Sequence, residues 1–125
     1  MSQKHVLLIE DEPNIAEAIR FILKRDGWVV THASEGREAL ALIGATRPDV
    51  LVLDVMLPGR SGLEILAELR ADPAHAALPV LMLTARGQGR DREAAERAGA
   101  SAFLAKPFAN ADLVACLHML AGGAG

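Results

Sequence analysis

Val50-Leu51-Val52-Leu53-Asp54 is a short apolar run that stops on a carboxylate, and three other runs in the chain stop on polar residues in the same way. His5-Val6-Leu7-Leu8-Ile9 leads into Glu10-Asp11, Val80-Leu81-Met82-Leu83 stops at Thr84, and Phe103-Leu104-Ala105 stops at Lys106. Runs of this length and composition read as strands. Segments with helical spacing lie between them, so strand and helix alternate along the chain, the pattern of an α/β domain with right-handed crossovers and a parallel sheet. Such a sheet brings its strand ends to one edge, and ligands bind outside that edge. Glu10, Asp11, Asp54, Thr84 and Lys106 would meet there.

The 125 residues, 51% of them apolar, suffice for one domain with one buried core. A net charge of -3, with basic residues neither in excess nor clustered, gives no electrostatic footprint for nucleic acid, so none is expected to bind. No apolar stretch has the length of a membrane span, and Met1-Ser2-Gln3-Lys4 runs into a strand without a signal-peptide core. Cys116 stands alone, which excludes a disulfide framework or a cysteine-based metal site, and a cytoplasmic location is expected. Residues 1–120 read as the domain, and 121–125 as a flexible tail or the start of a linker.

Strands are expected near 4–10, 28–32, 49–54, 79–84 and 101–105. Pro13 suits the first position of a helix that buries Ile15, Ile19, Ile22 and Leu23 and closes at Gly27. Ser34 is placed to cap a second helix with Leu40 and Ile43 as its buried stripe, ended by Pro48. Ser61-Gly62-Leu63-Glu64 matches a capping box, followed by Ile65, Leu66 and Leu69 and closed by Asp72-Pro73. Asn110 is placed to cap the last helix, which carries Leu113, Leu117 and Leu120 on one face. The fourth helix, about 89–98, offers only alanines for burial and is the candidate mobile element.

Taken singly, the polar strand ends have ordinary explanations. An Asp after a strand is usually a turn former, acidic residues before Pro13 suit a helix start, and Thr84 or Lys106 alone would be a cap or a surface lysine. Their coincidence at one edge carries the argument. Carboxylates packed together repel one another and call for a cation, and a hard oxygen cluster suits Mg²⁺. A phosphoryl group in transfer spreads negative charge over its oxygens, and Mg²⁺ with a fixed ammonium stabilises it. Lys106 would supply the ammonium, a carboxylate the nucleophile, and Thr84 a hydrogen bond to a phosphoryl oxygen.

The segments Ile9-Glu10-Asp11-Glu12-Pro13, Leu53-Asp54-Val55-Met56-Leu57-Pro58-Gly59, Leu83-Thr84-Ala85 and Gly99-Ala100-Ser101-Ala102-Phe103-Leu104-Ala105-Lys106-Pro107-Phe108 resemble the receiver domain of two-component response regulators, chemotaxis regulators included. The resemblance covers nearly the whole chain. It implies a (βα)₅ doubly wound sheet in the order 2-1-3-4-5 and a cis Lys106-Pro107 bond. It further implies Asp54 as phosphoacceptor, and Mg²⁺ held by Asp11, Asp54 and the Met56 backbone carbonyl, with Glu10 reaching it through water. Thr84 and Lys106 would contact the phosphoryl group, and Phe103 would be the switch aromatic. The implied partner is a sensor histidine kinase or phosphotransfer protein, with an output protein on the face of the fourth helix, fifth strand and fifth helix. By the same likeness the chain is no classical enzyme and catalyses only its own Mg²⁺-dependent phosphorylation and dephosphorylation. Met56 and Arg86, two residues after the phosphoacceptor and after Thr84, are expected to shield the acyl phosphate from water.

The chain departs from the family pattern in places. Glu10 stands where an Asp is most frequent, and its longer side chain still reaches through water. Receivers joined to winged-helix domains usually carry Asp-Asp-Tyr before the Lys-Pro and an arginine-rich last helix; here Ser101-Ala102-Phe103 precedes, and the last helix has Cys116 and His118 but no arginine. Two other functions fit less well. An aspartyl-phosphate phosphatase needs a second Asp where Met56 stands, and a nucleotide or flavin cradle needs glycines where the chain has Glu10-Asp11-Glu12-Pro13. His5, His32, His75 and His118 lack metal-ligand spacing and read as surface or partly buried residues, Cys116 as a core-edge residue and Trp28 as packing.

Overall fold

The computed structural model describes residues 4–84 and 89–122, with the side chains of 89–91 outside that description. Its elements are β1 (His5–Ile9), α1 (Pro13–Arg25), β2 (Val29–Ala33), α2 (Ala39–Thr46), β3 (Val50–Asp54), α3 (Gly62–Ala71), β4 (Val80–Thr84), α4 (Gly89–Ala98), β5 (Ala102–Ala105) and α5 (Asn110–Gly122). A short 3₁₀ turn, Gly36–Glu38, precedes α2. The five strands are parallel in the order β2-β1-β3-β4-β5, as the resemblance implies.

Alternate strand residues feed two cores. Leu7, Ile9, Leu51, Leu53 and Met82 pack with α2, α3 and α4 on one face, while Val6, Leu8, Val52, Leu81 and Leu83 pack with α1 and α5 on the other. Both faces are covered, so β3 and β4 are apolar at almost every position and buried throughout. Ile19 and Leu23 of α1, Ile65, Leu66 and Leu69 of α3, and Leu113 and Leu117 of α5 are buried as their spacing predicts. In α4 the only buried hydrophobic residue among those described is Ala95.

Three local expectations are corrected. Ser34 caps nothing: the chain passes through the 3₁₀ turn first, with Glu35 at its N-cap, and neither that turn nor α2 has a side-chain cap. The turn packs tightly at Gly36, where an added Cβ would sit 2.8 Å from the Arg60 carbonyl oxygen and 2.8 Å from Ile65 Cδ1. This late entry rotates α2, so Ala39 and Ile43 are buried while Leu40 and Leu42 are only partly covered. Asn110 is the first residue of α5 rather than its cap, and the Ala109 carbonyl accepts from Asp112 and Leu113. Trp28 lies one residue before β2 and is buried, as a packing residue should be. Its Nε1 donates to Asp26 Oδ2 at 3.0 Å, the same oxygen that His118 Nε2 of α5 approaches to 2.6 Å.

The Ser61 capping box forms as read from sequence, with Glu64 N donating to Ser61 Oγ at 3.2 Å and Ser61 N to Glu64 Oε1 at 3.4 Å. It starts α3 directly against β3: a Cβ on Gly62 would collide with the Asp54 backbone carbonyl. Gly44, inside α2, has open space around its α-carbon. Gly62→Ala should therefore destabilise the fold by about 1–3 kcal/mol through backbone displacement, whereas Gly44→Ala should stabilise it by about 0.5–1 kcal/mol. Urea unfolding of both variants checks the opposite signs.

Candidate functional site

The polar strand ends do converge. Lys106, just past β5, places Nζ 2.8 Å from Asp54 Oδ2 at the end of β3 and 2.7 Å from Glu10 Oε1 just past β1. One carboxylate oxygen from each of Glu10, Asp11 and Asp54 lies within 4.8 Å of the others. Glu10 is fully buried and Asp54 nearly so, whereas Asp11 sits at the more open rim. Thr84 is buried at the end of β4, and its carbonyl accepts the Lys106 backbone N–H at 2.7 Å, which ties the last two strand ends together.

Local geometry explains why the carboxylates stay in place. Asp54 Oδ1 accepts the Met56 backbone N–H at 3.0 Å, folding the loop after β3 back onto its own strand end. Glu10 Oε2 accepts the Glu12 N–H at 3.1 Å in the same manner. Met56 itself turns its side chain outward, 70% exposed. Phe103 is part-buried against the α2–α3–α4 core, in register with Met82. The Lys106-Pro107 bond is cis. Ala85 and Arg86 lie outside the described residues.

The charges do not balance within the protein. Burial, first of all, and then the neighbouring Asp54 push the Glu10 carboxyl up to about 7, against the downward pull of Lys106 and of the Glu12 N–H. Burial also works against the Lys106 ammonium, but its hydrogen bond to Asp54, its ion-pair contact with Glu10 and the charges of both outweigh this and hold it above its ordinary value. Nζ meets Glu10 Oε1 out of line for a hydrogen bond, so that fully buried oxygen has an ion-pair contact and an unused lone pair. Three carboxylate oxygens within 4.8 Å of one another, beside a fully buried oxygen that has no hydrogen bond, fit a hard divalent cation that keeps some of its waters.

Two residues that shape this site, and one that fastens the opposite edge of the sheet, were given no such role by the sequence. Gly62 carries the close approach of α3 to Asp54. His32 of β2, read as an ordinary histidine, has Nε2 2.8 Å from the Glu10 backbone oxygen. Arg70, at the end of α3, reaches the backbone at the opposite edge of the sheet, bonding Gly99 O and Leu78 O at 2.8 Å each. Only the spacing Ser61-Gly62, a glycine at the first position of a capped helix, carried any local signal.

A doubly wound parallel sheet with three carboxylates, a threonine and a lysine at the carboxyl ends of its strands defines a phosphoryl-handling α/β signalling domain. The profile of the response regulator receiver domain matches residues 6–118, so the chain belongs to that family, as a receiver of two-component systems. It is 44% identical over 115 residues to the probable transcriptional regulatory protein TcrX of Mycobacterium tuberculosis, a match covering 92% of this chain and 48% of TcrX. The chain thus spans about half the length of the curated relatives it matches. A putative response regulator from Chloroflexus aurantiacus superposes with TM-score 0.94 at 36% identity, covering 97% of this chain and 99% of the other. The receiver domain of sensor histidine kinase PA1611 from Pseudomonas aeruginosa, with a magnesium ion in its active-site cleft, superposes with TM-score 0.90 at 32% identity, covering 97% and 99%. Among the described residues no helix is long and apolar enough to cross a membrane.

The raised Glu10 carboxyl has a pH consequence of definite sign. Between its ordinary value of 4.5 and about 7 the folded chain binds this proton more tightly than the unfolded chain does, so stability falls as pH rises through that window. Thermal melts in chelator should show wild type losing roughly 1–3 kcal/mol from about pH 5 to pH 8, with Glu10→Gln losing much less. Equal slopes for the two proteins would contradict the assignment.

Proposed function

We propose that this chain takes a phosphoryl group onto the Asp54 carboxylate from a phosphohistidine of a sensor histidine kinase or phosphotransfer protein, and that an output protein reads the change. The supporting observation is the Lys106 ammonium set between Asp54 and Glu10, a cation fixed beside a buried carboxylate at a strand end. In the transfer, an Asp54 oxygen forms a bond to phosphorus while the N–P bond of the donor breaks, its electron pair returning to the imidazole nitrogen. Lys106 lies where the incoming negative oxygens would sit, and the Thr84 hydroxyl at the next strand end donates to one of them. Asp11, Asp54 and the Met56 carbonyl would hold Mg²⁺, with Glu10 acting through water. The bound ion would neutralise charge on the phosphoryl oxygens.

On this reading the chain is no metabolic enzyme and catalyses only its own phosphorylation and loss of phosphate, in the cytoplasm. Residues 1–120 act as the receiver, with 121–125 as tail or linker start. TcrX is described as a probable transcriptional regulator; any DNA contact by a protein built like it belongs to segments outside this acidic chain, whose net charge is -3. Output runs through the α4–β5–α5 face. Phosphate draws Thr84 inward, and Phe103, now part-buried in register with Met82, rotates further in. Helix α4, with Ala95 as its described buried anchor, shifts in response.

Incubation with a small phosphodonor and Mg²⁺ should add one phosphoryl mass to wild type and none to Asp54→Ala; equal gain by both proteins, or by wild type in excess chelator, would sink the reading. The same assay followed over time tests the shield. Met56 offers no base to orient water, so Met56→Asn, which supplies a polar group there, should shorten the phosphorylated lifetime severalfold, on the order of 3–10 times. For the output face, amide exchange with and without beryllofluoride should change in α4, β5 and the start of α5. Changes confined to α1, α2 and α3 would refute this route.

A further inference from the structure

We propose that His32 is a positioning residue for the metal-binding turn, its ring N–H fixing the peptide that joins Glu10 to Asp11. The β1–β2 ladder ends at the pair Ile9 and Ala33, with one more bond beyond it, from Glu10 N to Ala33 O at 3.1 Å. After Ala33 the chain leaves the sheet through Ser34 and Glu35 toward the 3₁₀ turn, so β2 no longer runs alongside to serve the Glu10 carbonyl. The His32 side chain takes that role, with Nε2 at 2.8 Å from Glu10 O. A carbonyl oxygen only accepts, so the proton of this bond is on Nε2. Glu10 is fully buried, and a buried carbonyl without a donor is costly.

The consequence reaches Asp11 because a peptide unit is rigid. The Glu10 carbonyl and the Asp11 N–H share one plane, so holding that carbonyl also fixes rotation about the Glu10 Cα–C bond, the rotation that would carry the Asp11 α-carbon, and its carboxylate with it, relative to Asp54. The Glu12 N–H bond to Glu10 Oε2 fixes the turn from its own side, while His32 fixes it from the neighbouring strand. Partners that orient metal-binding groups without touching the metal commonly change affinity about 10–100-fold when removed. His32 acts through a backbone bond, so the lower end of that range is expected.

This inference rests on the Mg²⁺ site proposed above, and the experiment separates the two. Mg²⁺ titration by calorimetry should give His32→Leu an affinity roughly tenfold below wild type, while His32→Gln, which keeps an N–H donor, recovers most of it. In chelator His32→Gln should melt close to wild type and His32→Leu somewhat lower, yet still folded at the titration temperature, because its Glu10 carbonyl loses a donor; His118→Leu, on the far helix α5, should bind Mg²⁺ like wild type. If wild type binds no Mg²⁺, the proposed site fails. If wild type binds and His32→Leu binds equally well, or His32→Gln is as weak as His32→Leu, the role of His32 is overturned. A measurement on wild type alone also decides it: long-range proton–nitrogen NMR of the ring at mildly alkaline pH should show the Nε2–H form, and the Nδ1–H form would refute the bond.

Discussion

A single ammonium held between two buried carboxylates is the constraint around which this molecule is arranged. Lys106 Nζ contacts Asp54 and Glu10 at 2.8 and 2.7 Å, and these three residues come from three different strand ends. A buried charge group of this kind is poor stabilisation, because desolvation offsets much of the Coulomb gain. Its cost is visible in Glu10, which burial pushes up to about 7, and in the Glu10 oxygen left without a hydrogen bond. An arrangement that costs stability and leaves an acceptor unused is one poised for a ligand of opposite charge.

The sheet supplies the rigidity that such a cluster requires. Five parallel strands covered on both faces put the backbone of β3 and β4 out of reach of water, so Asp54 and Thr84 project from fully buried strands. Close approach does the rest. Gly62 brings α3 against the Asp54 carbonyl, where no side chain fits, and His32 closes the β1 edge where the ladder runs out. The loops carrying Glu12 and Met56 then fold back onto their own carboxylates.

How much of this could be read from the sequence follows from the range of each interaction. The strand ends were legible because an apolar run stopping on a charged residue is a local pattern, and so was the Ser61 capping box. The second helix was misread because Ser34 looks like a cap until the packing of Gly36 against Arg60 and Ile65 is known, and that contact joins segments distant in sequence. His32 and Arg70 were illegible for the same reason: both bond backbone oxygens on other elements, and a carbonyl carries no sequence signal. Lys106 was legible only in company, since a lone lysine after a strand has no special meaning.

Arg70 gives the molecule a second fixed point at the edge away from the carboxylates. Its guanidinium donates to Gly99 O, Leu78 O and Ala76 O at 2.8, 2.8 and 3.2 Å, and burial lowers the guanidinium below its ordinary value without removing its charge. Gly99 follows α4 directly, and its own N–H bonds back to Ala95 and Glu96, so the far end of α4 is fastened to α3 by hydrogen bonds. Among its described side chains, by contrast, α4 buries only Ala95, with Ala98 partly covered, and alanines bury far less apolar area than the leucines that hold α3 and α5. A helix pinned at one end and lightly held through its described residues is free to pivot about the pinned end. On the proposed reading, that asymmetry would let an event at the carboxylate edge reach the α4–β5–α5 face without a rearrangement of the buried strands β3 and β4.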